Sequence, residues 1–436
     1  MTAGRTLTFS KPADRVVLIG IAIIPTLDCV LNQVSNALHI KLGAFSVLQA
    51  VRGALVVVFA LIIVSAIVRN AACVGRIPMP AVGACVLLAM AASKEVVATG
   101  SLSMESAGAY GQMLYWVMLW TTVSIVCRRP VQGEIILRGL AWGACLTAIS
   151  VFLGLFFGAT EYYSNDSVHS SAGWFDTAKM ITGLLVVGGV VILYLGREHR
   201  GWLSCFGAGL CFSACVVTYA RAGTVALVVV VLWLFVWRIS IAKANSGRWL
   251  NRFLGMALVA CLLVPAVVNV QSLLARWSDV GDTDRGGSGR ATFWRIAVDA
   301  YASEEPSEQI FGAGYRAMSE MLFRNYGDDI KHTHNDLLDL LLVSGFVGAL
   351  WFVSLISALV RRALMPAIGS VQGAVAVAIV LTYLCHGFLT GQIWGTDSMT
   401  YYTLGLTCLM RLAGDKSPAE VIQDDRISHP QPLIEA

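Results

Sequence analysis

The sequence predicts an all-α polytopic membrane protein of about 12 transmembrane helices, with one long outer loop that contains short helices. Three observations lead there. Of 436 residues 57% are hydrophobic and 13% charged, with a mean hydropathy of +0.70, whereas a soluble domain carries about 25% charged residues. Apolar runs of roughly 20 residues, enough to cross a bilayer, recur along the whole chain. Only one long segment, 271–334, breaks the pattern, with seven Lys/Arg and ten Asp/Glu.

The runs fall at about 16–34, 48–68, 79–97, 107–127, 135–158, 178–196, 201–220, 222–240, 253–270, 335–360, 372–390 and 392–411. Every second short connection is basic: Arg69 and Arg76, Arg128 and Arg129, Arg197 and Arg200, Arg238 to Arg252, then Arg361 and Arg362. Lys and Arg are retained on the cytoplasmic side, so both termini are expected inside. The connection 159–176 carries Glu161, Asp166 and Asp176 without a basic residue, and belongs outside. The same alternation puts Arg221, the 271–334 loop and His334 on the outer face. Four regions result: a membrane bundle over 1–270, the outer loop 271–334, further membrane helices over 335–411, and a cytoplasmic tail, 412–436.

Composition also excludes some classes. The net charge of +4 is scattered between apolar spans, so no nucleic-acid partner is expected. The eleven cysteines lie almost entirely in apolar spans, without paired CxxC spacing, and read as small packing residues. Arg5, Lys11 and Arg15 precede an apolar run without a small-residue cleavage site, so no cleaved leader is expected. Asp28, Arg52 and Arg138 fall inside spans, where ionisable groups either pair within the bundle or line a pathway.

Chemistry concentrates in and beside the outer loop. A glycine-rich run, GDTDRGGSGR (281–290), leads into ATFWRIAVDAY. There Arg290, Phe293, Trp294, Ala297, Val298 and Tyr301 recur at three- and four-residue spacing, one stripe of an amphipathic helix along the membrane surface. Arg290 opens that helix, where a guanidinium and backbone N–H groups together suit an anion; snorkelling to lipid headgroups is the plain alternative. FGAGY (311–315) reads as a tight turn beside a second short element. Arg221 stands in the tiny gap of VVTYARAGTVAL, where burial demands an anion or an ion pair.

KHTHNDLLDLLLVSGFVGAL (331–350) runs titratable groups straight into an apolar span. On a continuous helix Gly345 falls nearly beneath His334, with Gly348 close to the same line, so a neighbouring helix could pack under the histidine and turn it toward the bundle. Asp339 points elsewhere, as a structural partner. A histidine at a helix end is commonly a surface or capping residue. An imidazole with an ordinary pKa near 6.5 is also a natural general base. One histidine and two arginines at an outer mouth suit a phosphate-bearing substrate attacked by a hydroxyl. Asp282-Thr283-Asp284 resembles the DxD metal motif of nucleotide-sugar transferases, but two arginines make a metal redundant, and neither metal nor cofactor is expected.

HN (334–335), nine residues, then GFVG (345–348) resembles the signature of the O-antigen ligase and polymerase superfamily. TYARAG around Arg221, GRATFWRIA around Arg290 and FGAGY also stand where that family has motifs, and the likeness extends from roughly residue 15 to 411. The resemblance implies a membrane glycosyltransferase of the GT-C type in the bacterial inner membrane, with its active site facing the periplasm. Its partners would be an undecaprenyl-diphosphate-linked glycan donor, a lipid A-core acceptor and membrane lipids. On that basis His334 is expected as catalytic base, Arg221 and Arg290 as diphosphate-binding, and His332, Asn335 and Trp294 as supporting residues. No covalent nucleophile is evident, which favours direct displacement with inversion.

Three other readings stay open. An O-antigen polymerase would use the same donor with a second lipid-linked glycan as acceptor. A protein O-oligosaccharyltransferase shares the signature but tends to carry an added soluble C-terminal domain, whereas here about 25 residues follow the last span. A twelve-span transporter or flippase fits the span number and termini, but no internal repeat relates the two halves.

Overall fold

The computed structural model describes residues 12–38, 41–42, 45–157, 161–162, 169–170, 178–196, 201–240, 290–326, 332–364 and 370–414. Eight helices occupy the first part: α1 (Pro12–Leu38), α2 (Val47–Arg69), α3 (Met79–Thr99), α4 (Met104–Val126), α5 (Pro130–Phe156), α6 (Ala178–Leu195), α7 (Gly201–Val217) and α8 (Arg221–Ser240). Three short helices follow, α9 (Arg290–Ser303), α10 (Pro306–Phe311) and α11 (Tyr315–Tyr326). Then come α12 (Asp336–Leu364), α13 (Val371–Leu389) and α14 (Thr396–Gly414). Each expected span has its helix except 253–270, which lies outside the described residues, as do GDTDRGG, Asp282, Asp284 and most of the tail.

Among the described residues six helices have the length and apolar composition to cross a membrane: Arg15–Asn32 of α1, α2, α3, α5, Asp336–Arg362 of α12, and α13. Ile181–Leu195, Gly201–Val217 and Arg221–Trp237 are shorter apolar helices. Surface composition agrees with a lipid environment. Val57, Leu61, Val64 and Val68 of α2 are all exposed, an arrangement water would penalise by the apolar area left uncovered. This is a membrane protein.

The bundle centres on α14, which packs against α4, α5, α6 and α13 and buries Tyr401, Leu404, Cys408 and Leu409. Small residues set the closest approaches. A Cβ on Gly139 of α5 would fall 1.9 Å from the Ala22 carbonyl oxygen, and one on Gly143 would fall 2.5 Å from Pro25 Cβ. A glycine every fourth residue thus lets the α1 and α5 backbones touch, the usual device where lipid offers no hydrophobic drive to helix pairing. Beside it, buried Arg52 of α2 pairs with Asp28 of α1 at 3.3 Å. Arg138 instead bonds Glu134 one turn away at 2.8 Å on an exposed face. Of the described cysteines, Cys29, Cys73, Cys127, Cys205, Cys211, Cys215 and Cys408 are buried thiols.

Two departures from the expected all-α bundle are instructive. Two-residue antiparallel strands, Lys41–Leu42 with Phe45–Ser46 and Glu161–Tyr162 with His169–Ser170, close the α1–α2 and α5–α6 connections. More important, α12 is not continuous: Gly345 adopts φ 65°, ψ −162°, a conformation that breaks the helix. The stacking of Gly345 beneath His334 therefore fails, because eleven residues of unbroken helix do not separate them.

The break is filled by the loop. A left-handed glycine at 312 (φ 77°) and another at 314 (φ 90°) turn the chain after α10. Ala313 N then donates to Leu342 O (2.9 Å) and Gly314 N to Val343 O (3.1 Å). Those two carbonyls would otherwise serve residues 346 and 347, so the FGAGY turn satisfies the acceptors that the kink releases. Lys94 of α3 donates to Gly312 O and approaches Glu308 at 3.7 Å. The atoms nearest Gly348 are those of Ser344 and Leu340, in its own helix.

Candidate active site

The short helices and one end of the bundle converge. These are the C-terminal end of α3, the start of α4, the starts of α8 and α12, the end of α13 and the start of α14. All are ends that the charge alternation assigns to the outer face. Tyr315 N donates to Tyr110 OH at 3.0 Å, and the Tyr315 ring meets Trp394 edge-on at 5.3 Å. Burial pushes the Tyr315 hydroxyl well above its usual range, so it stays protonated.

His334 precedes α12 rather than belonging to it. Its φ of 59° is in the left-handed region, uncommon for a residue with a Cβ. Neighbours over-determine this conformation. Asn335 Oδ1 accepts from Leu337 N (3.0 Å) and Leu338 N (3.2 Å), capping α12. Asp339 Oδ1 accepts from Thr333 N and Thr333 Oγ1, both at 2.7 Å. Asp339 is thus a structural partner, and Asn335 caps the helix.

The half-buried imidazole places Nδ1 3.2 Å from Thr390 O. A carbonyl only accepts, so Nδ1 carries the hydrogen, and in the neutral ring Nε2 holds the basic lone pair. His332 stands edge-on to this ring at 4.4 Å, and Phe293 of α9 lies 6.3 Å away. Trp294 Nε1 donates to Thr333 O at 3.2 Å. The amphipathic stripe therefore packs inward on the 332–334 segment, with Ala297 buried and Val298 left exposed. Arg290, half-buried, opens α9 one turn before Phe293.

Arg221 is the first residue of α8, after a sharp turn in which Tyr219 has φ 54°. Gly223 lies against Thr182 of α6, and Thr182 Oγ1 is 2.9 Å from His386 Nε2. The His386 carbonyl accepts from Thr390 N and Oγ1, both at 2.7 Å. A short relay of contacts thus links the start of α8 to the carbonyl that holds His334. The structure brings His334, His332, Asn335, Trp294 and the Arg290 end of α9 together, and connects Arg221 through this relay.

Sequence reasoning did not single out His386, Thr390, Gln392 or the role of Asp336. His386 lies in the last turn of an apolar span, and that signal was available. The α13–α14 turn carries no comparable mark.

The site is thus a histidine held by the α13–α14 turn of a helical membrane bundle, with arginines opening α8 and α9. Residues 206–353 match a family model described as O-Antigen ligase. The likeness covers that stretch of the 436 residues and supports a general activity of the O-antigen ligase or polymerase type. Arg221, Arg290, Trp294, His332, His334 and Asn335 all fall inside the matched segment, whereas Lys94, Tyr110, Thr390 and Gln392 lie outside it. No curated protein matches the chain.

Proposed function

We propose that this protein is an O-antigen ligase of the GT-C type, with about twelve membrane spans. It transfers a glycan from undecaprenyl diphosphate to a sugar hydroxyl of lipid A-core at the periplasmic face of the bacterial inner membrane. The observation that carries this reading is the His334 Nδ1 contact to Thr390 O, which leaves Nε2 as the basic nitrogen. Nε2 takes the proton of the acceptor hydroxyl as its oxygen attacks the anomeric carbon, and the carbon–oxygen bond to diphosphate breaks on the opposite face. Arg221 and Arg290 take up the charge developing on the departing diphosphate. One displacement inverts the anomeric configuration. No metal is needed, because two guanidiniums supply the charge that a divalent ion would otherwise supply. His332 and Trp294 support the base from the α9 side.

The acceptor decides between ligase and polymerase. Purified protein in liposomes is given undecaprenyl-diphosphate glycan and rough lipopolysaccharide, with and without EDTA. Glycan joined to the lipid A-core, unchanged by EDTA, supports the proposal. Longer chains on undecaprenyl diphosphate, with the core untouched, would make the protein a polymerase. Activity lost in EDTA and restored by Mg2+ or Mn2+ would remove the metal-free mechanism.

A further inference from the structure

Asp336 occupies the first position of α12, two residues after His334, and its side chain is buried. Its Oδ1 accepts from two successive backbone amides in the α13–α14 turn, Gln392 N at 2.5 Å and Ile393 N at 2.8 Å. Its Oδ2 accepts from Tyr383 OH at 3.0 Å. Three donors on one buried carboxylate is the arrangement that makes burial of a charged group tolerable. The space is made for it: a Cβ on Gly387 would fall 2.7 Å from Oδ2.

The turn gripped in this way is the one that touches the histidine. Thr390 O receives His334 Nδ1, and Gln392 Nε2 donates to Thr390 Oγ1 at 2.5 Å. Gly391, at φ 66°, brings its backbone so close that a Cβ there would fall 3.2 Å from His334 Cα. Asp336 thus reaches from one side of His334, around the turn, to the acceptor on the other side.

We propose that Asp336 is a positioning residue of the transfer site, holding the 390–393 turn so that the Thr390 carbonyl keeps the hydrogen of His334 on Nδ1. The inference rests on His334 being the base, but its direct consequence, the tautomer, can be read without any turnover. Among the described residues, the titratable and charged groups on the elements packed here include His332 at the ring's edge, Asp339 on Thr333, His386 and Tyr402 behind Thr390, Tyr383 on Asp336 itself, and Arg290 at the start of the helix that carries Phe293. All are unchanged in the variants chosen.

The test uses full-length protein with 15N-labelled histidine in detergent, at a pH where the ring nitrogen shifts themselves show His334 to be neutral. Wild type, Asp336→Ala and Asp336→Asn are compared, with His334→Gln identifying the His334 signals. Wild type is expected as the Nδ1–H form, Asp336→Ala as a mixture of tautomers. Asp336→Asn keeps an Oδ1 acceptor for the two amides and is expected to remain largely Nδ1–H. In the liposome assay Asp336→Ala then loses about a hundredfold in kcat, as expected from a small displacement of a reacting group. Its KM for the donor stays within about twofold, since Asp336 does not touch the diphosphate. An unchanged His334 tautomer in Asp336→Ala overturns the inference. So does a loss of activity shared equally by Asp336→Asn, because that variant preserves the turn. If wild type transfers nothing, or His334→Ala transfers at the wild-type rate, the functional reading fails while the tautomer result stands by itself.

Discussion

Gly345 and Ile310 meet backbone to backbone: a Cβ on Gly345 would lie 2.4 Å from both the carbonyl carbon and oxygen of Ile310. A break inside a membrane helix and the turn of a distant loop are therefore one structural unit. The break frees the Leu342 and Val343 carbonyls, and the loop supplies the amides that satisfy them. The unit ties the α9–α11 helices to the segment that carries His334.

Gly345→Ala should accordingly destabilise the protein. The φ of 65° alone costs about 1–3 kcal/mol for a residue with a Cβ, and contact with Ile310 adds to it. Gly100→Ala is the comparison: its φ is 77°, its ψ of −10° is the milder left-handed helical conformation, and nothing lies within 4 Å of the added carbon. Thermal melts in detergent should show a clearly larger fall for Gly345→Ala. Equal falls would mean that the Ile310 contact gives way without cost.

The Asp28–Arg52 pair links α1 to α2 in a buried setting. Arg52→Met removes the guanidinium and leaves the carboxylate in the bundle, at a cost of about 3–5 kcal/mol. The double variant Asp28→Leu with Arg52→Met removes both charges and should regain most of that loss. Denaturation of the two variants side by side provides the comparison; a double variant no better than the single one would show that each charge has its own essential partner.

Glu304, at the end of the α9 segment, gives a pH prediction. A hydrogen bond with Glu308, and then burial, raise its carboxyl from 4.5 to about 7, with Lys94 opposing. The folded protein thus holds this proton more tightly than the unfolded chain. Its contribution to stability is fully present below pH 4.5 and is lost as the pH rises through about 7. Melting temperature should fall over that interval, and Glu304→Gln, which keeps a donor at every pH, should flatten the fall. A slope identical in the variant would assign the effect to other groups.

Much of the bundle was legible because membrane spans are written locally, as runs of apolar residues between basic connections. The start of α9 at Arg290 was equally local, since a three- and four-residue apolar stripe begins there. Gly345 misled for a physical reason. In an apolar run a glycine reads as a packing residue, and its left-handed φ is set by the 310–314 turn, which is remote in sequence. The histidine mouth was legible as residue types, and its geometry was not. His334 is oriented by Thr390, and the turn carrying Thr390 is held by Asp336 across more than fifty residues of chain. Asp339 could be foreseen as a partner because Thr333, which it holds, is close in sequence. Val298 belongs to the stripe by spacing and is exposed, because it stands about 100° around the helix from the buried Ala297.

The most direct test of the central claim is transfer of glycan from undecaprenyl diphosphate to rough lipopolysaccharide by wild type, His334→Ala, Arg221→Ala and Arg290→Ala, each shown by its melt to be folded. Loss of a general base removes about 10²–10⁴-fold of rate, so His334→Ala should fall to near background, with both arginine variants strongly reduced. Full transfer by folded His334→Ala would contradict the account.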